Sequence, residues 1–107
     1  MKCDTVTLVQ VIDKCLDYAL DGRLKPEQRA EFLALAKRMR GSLLNLVTAK
    51  FEEGTKAVEG ANANLTKIIN DLGDEERVLS DTATTVKNLA QLAGMLDELL
   101  KIAVSFV

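Results

Sequence analysis

Apolar residues recur along this chain in steps of three and four almost from end to end, the spacing that lines one face of an α-helix. Val6, Leu8, Val9, Val11, Ile12, Cys15, Leu16, Ala19 and Leu20 form a first, wide stripe. Asp4 or Thr5 can cap its start, and Asp21-Gly22 closes it, because glycine accepts the left-handed backbone that ends a helix. A helix is therefore predicted over 5–21. Pro26 suits a first helical turn and is followed by Glu27 and Gln28. From there a seam runs through Phe32, Ala36, Met39, Leu43, Val47, Phe51, Gly54, Val58, Ala61, Leu65, Ile68 and Leu72 without a change of phase. It predicts one long helix over 26–72. Gly41, Gly54 and Gly60 each cost about 1 kcal/mol against alanine in a helix interior, so a break near Gly41 or a bend over 54–60 is the alternative. Gly73-Asp74 repeats the stop-and-start signal. A third helix is predicted over 75–104, where Leu79, Val86, Ala93 and Leu100 stand seven apart, with Thr82, Leu89, Leu96 and Ala103 as companions.

At about 1.5 Å per residue the middle helix would be roughly 70 Å long and its neighbours roughly 25 and 45 Å. Short loops make each neighbour antiparallel to it. The expected architecture is all-α: one domain over 1–107, an elongated antiparallel helical hairpin or bundle with coiled-coil-like packing, of three helices or of four if broken near Gly41. A rod two helices thick leaves its stripes in water, which monomers rarely do. Self-association as a homodimer is the expected repair, with Leu65, Ile68, Leu72, Leu79, Val86, Leu89, Leu96 and Leu100 as the interface. Aspartate at Leu89 is then expected to break the assembly. The end of the chain, Leu99 to Val107, is apolar to its last residue, and Phe106 and Val107 are expected to pack where helix 1 covers them, the alternative being an exposed docking site for another protein.

Composition supports a folded helical chain. With 48% hydrophobic and 28% charged residues, the chain has the means to build a core. It has no His, the residue most used for proton transfer and metal binding near neutral pH. Enzymatic activity, cofactors and metals are not expected. Cys3 and Cys15 would lie roughly 18 Å apart on one helix, so they read as free thiols of a reducing compartment, Cys3 in a frayed terminus and Cys15 in the core. No apolar run reaches the ~20 residues needed to span a membrane, and a cytoplasmic location is expected.

Candidate chemistry changes this picture little. Asp17, Asp21 and Gly22 loosely match a calcium loop, but its twelfth position holds Gln28 where a bidentate Glu is required. Glu52-Glu53, Glu75-Glu76 and Asp97-Glu98 are adjacent pairs, which diverge by about 100° on a helix and read as solvated faces. Gly54 and Gly60 lack the Lys-Ser or Lys-Thr of a phosphate loop. Charge is uneven. Residues 23–50 hold seven basic side chains (Arg23, Lys25, Arg29, Lys37, Arg38, Arg40 and Lys50) against Glu27 and Glu31, whereas residues 51–107 hold five basic and ten acidic. Lys37, Arg38 and Arg40 are the candidates for contact with a partner, although no aromatic residues interleave them for base stacking. The expected function is a non-enzymatic helical interaction and assembly module that self-associates and presents a helical surface to an unidentified protein partner. The alternatives are a small nucleic-acid-associated regulatory protein using the 37–40 cluster, and an inhibitor, chaperone or immunity-type factor for one protein.

Overall fold

The computed structural model describes residues 1–106. Helix α1 spans Thr5–Ala19. Asp4 caps it, accepting from the Thr7 backbone N–H at 3.0 Å and from the Thr7 hydroxyl at 2.7 Å. Helix α2 runs over Pro26–Leu46, with the Gln28 side chain accepting from the Lys25 backbone N–H at 2.9 Å. A two-residue strand β1, Ala49–Lys50, follows. Then come α3 over Lys56–Gly73, α4 over Glu75–Ser80, α5 over Thr82–Ile102 and the strand β2, Ser105–Phe106. Asp74 and Asp81 cap α4 and α5, accepting from the N–H groups of Arg77 and Thr84.

The predicted 26–72 helix is thus two helices joined by a reversal over 47–55. Across this join Ala49 and Phe51 are buried and Lys50 between them is exposed, the alternation of a strand, and Phe51 is the one residue that serves both this alternation and the helical rhythm. Gly54 turns the chain with φ +74°, a conformation that only glycine adopts without strain. β1 is held from both sides by distant chain. It pairs antiparallel with β2, Ala49 opposite Phe106 and Lys50 opposite Ser105. The next residue, Phe51, exchanges two 3.0 Å backbone hydrogen bonds with Met1. The predicted third helix is divided as well, at Asp81, so the helices among the described residues number five rather than three or four.

These breaks replace a rod of roughly 70 Å by a body of 42 × 20 × 18 Å. Helix α1 packs on α2 and α3, and α5 packs on α2 and α3. Four helices therefore enclose one core, at whose α1–α2–α3 junction Tyr18 and Phe32 stack with centroids 5.2 Å apart and the Tyr18 hydroxyl donates to the Leu72 carbonyl at 2.6 Å. Burial raises the Tyr18 pKa above the usual tyrosine value. Cys15 lies in the core as expected from its position on the stripe, and burial pushes its thiol up to about 12. Cys3 is not frayed. It is buried with its thiol pushed up to about 11, because Asn62 ties this segment down, accepting from the Asp4 N–H at 2.7 Å and donating to the Lys2 carbonyl.

The α1–α2 turn carries the fold's clearest acid-sensitive contact. Hydrogen bonds from the Arg23 guanidinium, then from its backbone N–H, hold the Asp21 carboxyl down to about 2. A carboxyl lowered in the folded state stabilises it above the ordinary value of 3.8 and loses that contribution as pH falls toward 2. In thermal melts from pH 5 to 2, Asp21→Asn is expected to destabilise the protein at pH 5 and to converge with the wild type at the acid end. Equal spacing of the two melting curves at every pH would refute this assignment.

Candidate interaction face

The eight seam residues assigned to an interface between chains are occupied within one chain. Leu65, Leu72, Leu89 and Leu96 have no exposed surface and Ile68 is buried, while Leu79, Val86 and Leu100 are half-buried against the same core. The folding-back of the chain over 47–55 explains the correction, since a rod too thin to enclose its stripes becomes four helices that do so. The C-terminal segment differs from expectation too. Phe106 pairs with β1 through its backbone and its side chain is 55% exposed rather than covered by α1; Val107 lies outside the described residues.

The basic cluster separates. Successive helical residues point about 100° apart, and Arg38 is directed to α5, where its guanidinium meets Asp97 at 2.7 Å. Asp97 also accepts from the Ser42 hydroxyl at 3.1 Å. The Arg38 bond, helped by Ser42, lowers the Asp97 pKa below the usual carboxylate range. Lys37 and Arg40 are exposed on another side of α2 and form no ion pair among the described residues.

What surrounds Lys37 and Arg40 is the feature that sequence reasoning missed. Among the described residues ten large apolar side chains are exposed, and apart from Ile102, Val104 and Phe106 in the C-terminal segment they belong to α1, α2 and their flanking residues. On α1 they are Val6, Val9, Leu16 and Leu20; on α2 they are Leu33, Leu44 and Val47. With Asp13 and with Lys37 and Arg40 they complete two stripes, 6-9-13-16-20 and 33-37-40-44-47, each in alternating steps of three and four. Both stripes border one open groove between the helices, lined by Val9, Ile12, Asp13, Leu16, Arg40 and Leu43. The exposure is not marginal, for Leu20 is 84%, Val6 72% and Leu44 68% exposed. The width of the α1 stripe was the available signal: nine apolar positions are more than one buried face can use.

The other features are chemically modest. A cavity of about 60 Å³ among α3, α4 and α5 is lined by Asp71, Arg77, Asp81 and Asn88 among others. Among the described residues no group of three or more His, Cys, Asp or Glu side chains stands ready to hold a metal ion. The acidic pairs are dispersed, Glu75 meeting Arg23 at 3.3 Å and Glu98 meeting Lys101 at 3.0 Å. Asp21 of the loose calcium-loop match is taken by Arg23, and Gln28 caps α2. Among the described residues no helix is long and apolar enough to cross a membrane. Compared with known proteins, the chain matches no family model, no curated protein and no solved structure.

Proposed function

We propose that this protein is a non-enzymatic helical interaction module that self-associates, and that its working surface is the outer face of α1 and α2. The observation that carries this reading is the double stripe. Seven large apolar side chains crowd one side of a molecule whose core is already closed without them, and contiguous exposed apolar surface of that extent marks an interaction site in soluble proteins. Their spacing in threes and fours suits packing against another pair of helices. The same feature lowers the claim of nucleic-acid binding, because Lys37 and Arg40 are flanked along their stripe by exposed Leu33, Leu44 and Val47 and Arg38 is committed to Asp97.

The test uses positions that the fold does not need. In sedimentation across a concentration series, the wild type is expected to approach twice the 11.7 kDa chain mass. Leu20→Glu combined with Leu44→Glu is expected to remain at the chain mass at every concentration, with unchanged helicity and no loss of melting temperature. A wild type that stays at the chain mass into the millimolar range would overturn the reading.

A further inference from the structure

We infer that the occupant of the α1–α2 face is a second copy seated in one pose, with α1 of each copy lying over α2 of the other and the two-fold axis parallel to the helices. This inference rests on the self-association reading and specifies its geometry. It follows from a correspondence between the two stripes. Asp13 and Arg40 line the same groove and so lie within about one turn of each other along the antiparallel pair. Counting from them, the exposed positions fall at −7, −4, +3 and +7 on α1 (Val6, Val9, Leu16, Leu20) and at +7, +4, −3 and −7 on α2 (Val47, Leu44, Lys37, Leu33). Since α1 and α2 run in opposite directions with equal rise per residue, Val6 then lies within about one turn of the height of Val47, Val9 of Leu44 and Leu20 of Leu33.

A two-fold interface places a patch against itself, and two axes within this face are available. An axis parallel to the helices preserves height and exchanges α1 with α2. It sets Val6, Val9 and Leu20 of one copy against Val47, Leu44 and Leu33 of the other. At the centre it sets the Asp13 carboxylate against Arg40, with Lys37 one turn away; the aliphatic stem of Lys37 can lie along Leu16 while its ammonium reaches the rim. An axis perpendicular to the helices inverts height and lays α1 on α1 and α2 on α2. That pose brings Asp13 against Asp13 and the Lys37–Arg40 pair against its own copy, like charges meeting where water is being expelled. Charge complementarity therefore selects the first pose.

The extent of the face sets the strength. From Val6 to Leu20 the stripe rises about 21 Å, and two helices side by side are roughly 20 Å wide. The dimer then buries on the order of 1,000 Å² in total, the lower limit for specific association. A dissociation constant in the micromolar range is expected, so that the protein exchanges between monomer and dimer with concentration.

Single-cysteine variants decide the pose. The native thiols do not compete in oxidation at neutral pH, since Cys3 and Cys15 are buried with pKa values raised to about 11 and about 12. An equimolar mixture of Leu20→Cys and Leu33→Cys is expected to form a covalent dimer, whereas Leu20→Cys alone and its mixture with Val6→Cys are not. Asp13→Asn is expected to weaken dimerisation several-fold by removing the central opposite charge. Cross-linking of Leu20→Cys with Val6→Cys, together with strengthening by Asp13→Asn, would overturn the pose while leaving self-association standing. A wild type that is monomeric at all concentrations would overturn both.

Discussion

Leu89→Asp is expected to unfold the monomer rather than to separate two copies. Leu89 has no exposed surface and lies in the same buried cluster as Ile68 and Leu72, with which it lines one small cavity among α3, α4 and α5. Removing the leucine forfeits about 1.5–3 kcal/mol of burial. The carboxylate then either stays charged, at a desolvation cost of several kcal/mol, or takes up a proton at a cost of about 1.4 kcal/mol for each unit its pKa must rise. The sum is above about 5 kcal/mol, comparable with the whole stability of an ordinary domain, roughly 5–15 kcal/mol. Circular dichroism at 25 °C should show loss of the cooperative transition. Leu89→Ala, costing about 2–5 kcal/mol by the cavity it leaves, should remain folded with a lowered urea midpoint. An Asp variant that melted like the wild type while halving the native mass would place Leu89 between chains instead.

Phe32→Ala is expected to cost about 3–5 kcal/mol, the larger end being favoured by the position of the ring. Phe32 is fully buried and stacks on Tyr18, whose hydroxyl is bonded to the Leu72 carbonyl. One side chain thus joins α2 to α1 directly and to α3 through Tyr18. The aromatic pair adds about 0.5–1.5 kcal/mol beyond the area it buries. At roughly 4–8 °C per kcal/mol for a domain of this size, the melting temperature should fall by tens of degrees. Urea unfolding should show a lower midpoint with unchanged slope, and Phe32→Leu should recover more than half of the loss. A cost below about 1 kcal/mol would mean that the Tyr18–Phe32 contact does not organise the core.

Features that depend on a few adjacent residues were legible. Asp4 before α1, Pro26 in the first turn of α2 and Gly73-Asp74 between α3 and α4 each lie where the capping rules put a helix boundary. Two breaks were not legible. The seam keeps its phase through Val47 and Phe51 because the buried Phe51 that follows the short strand happens to fall one helical step after Val47, although Val47 itself is exposed. Asp81 caps α5, yet an aspartate in a long polar and apolar alternation reads equally well as a solvated helix position. Lys37, Arg38 and Arg40 are neighbours in the chain and still diverge, because the rotation of the helix sends Arg38 to Asp97 and leaves the others beside the apolar stripe.

Helical class, most helix starts and the amphipathic character of every long helix were set by the sequence alone, since capping, propensity and period act over a turn or two of backbone. Only the tertiary structure decided where the chain reverses and which of two apolar stripes on α1 faces inward. Those choices depend on partners half the chain away, Met1 with Phe51 and β1 with β2. Once these contacts turn α3 back onto α1, the core takes Leu8, Val11, Ile12, Cys15 and Tyr18. Val6, Val9, Leu16 and Leu20 are left in water because four helices around one core have no further inward face to offer them.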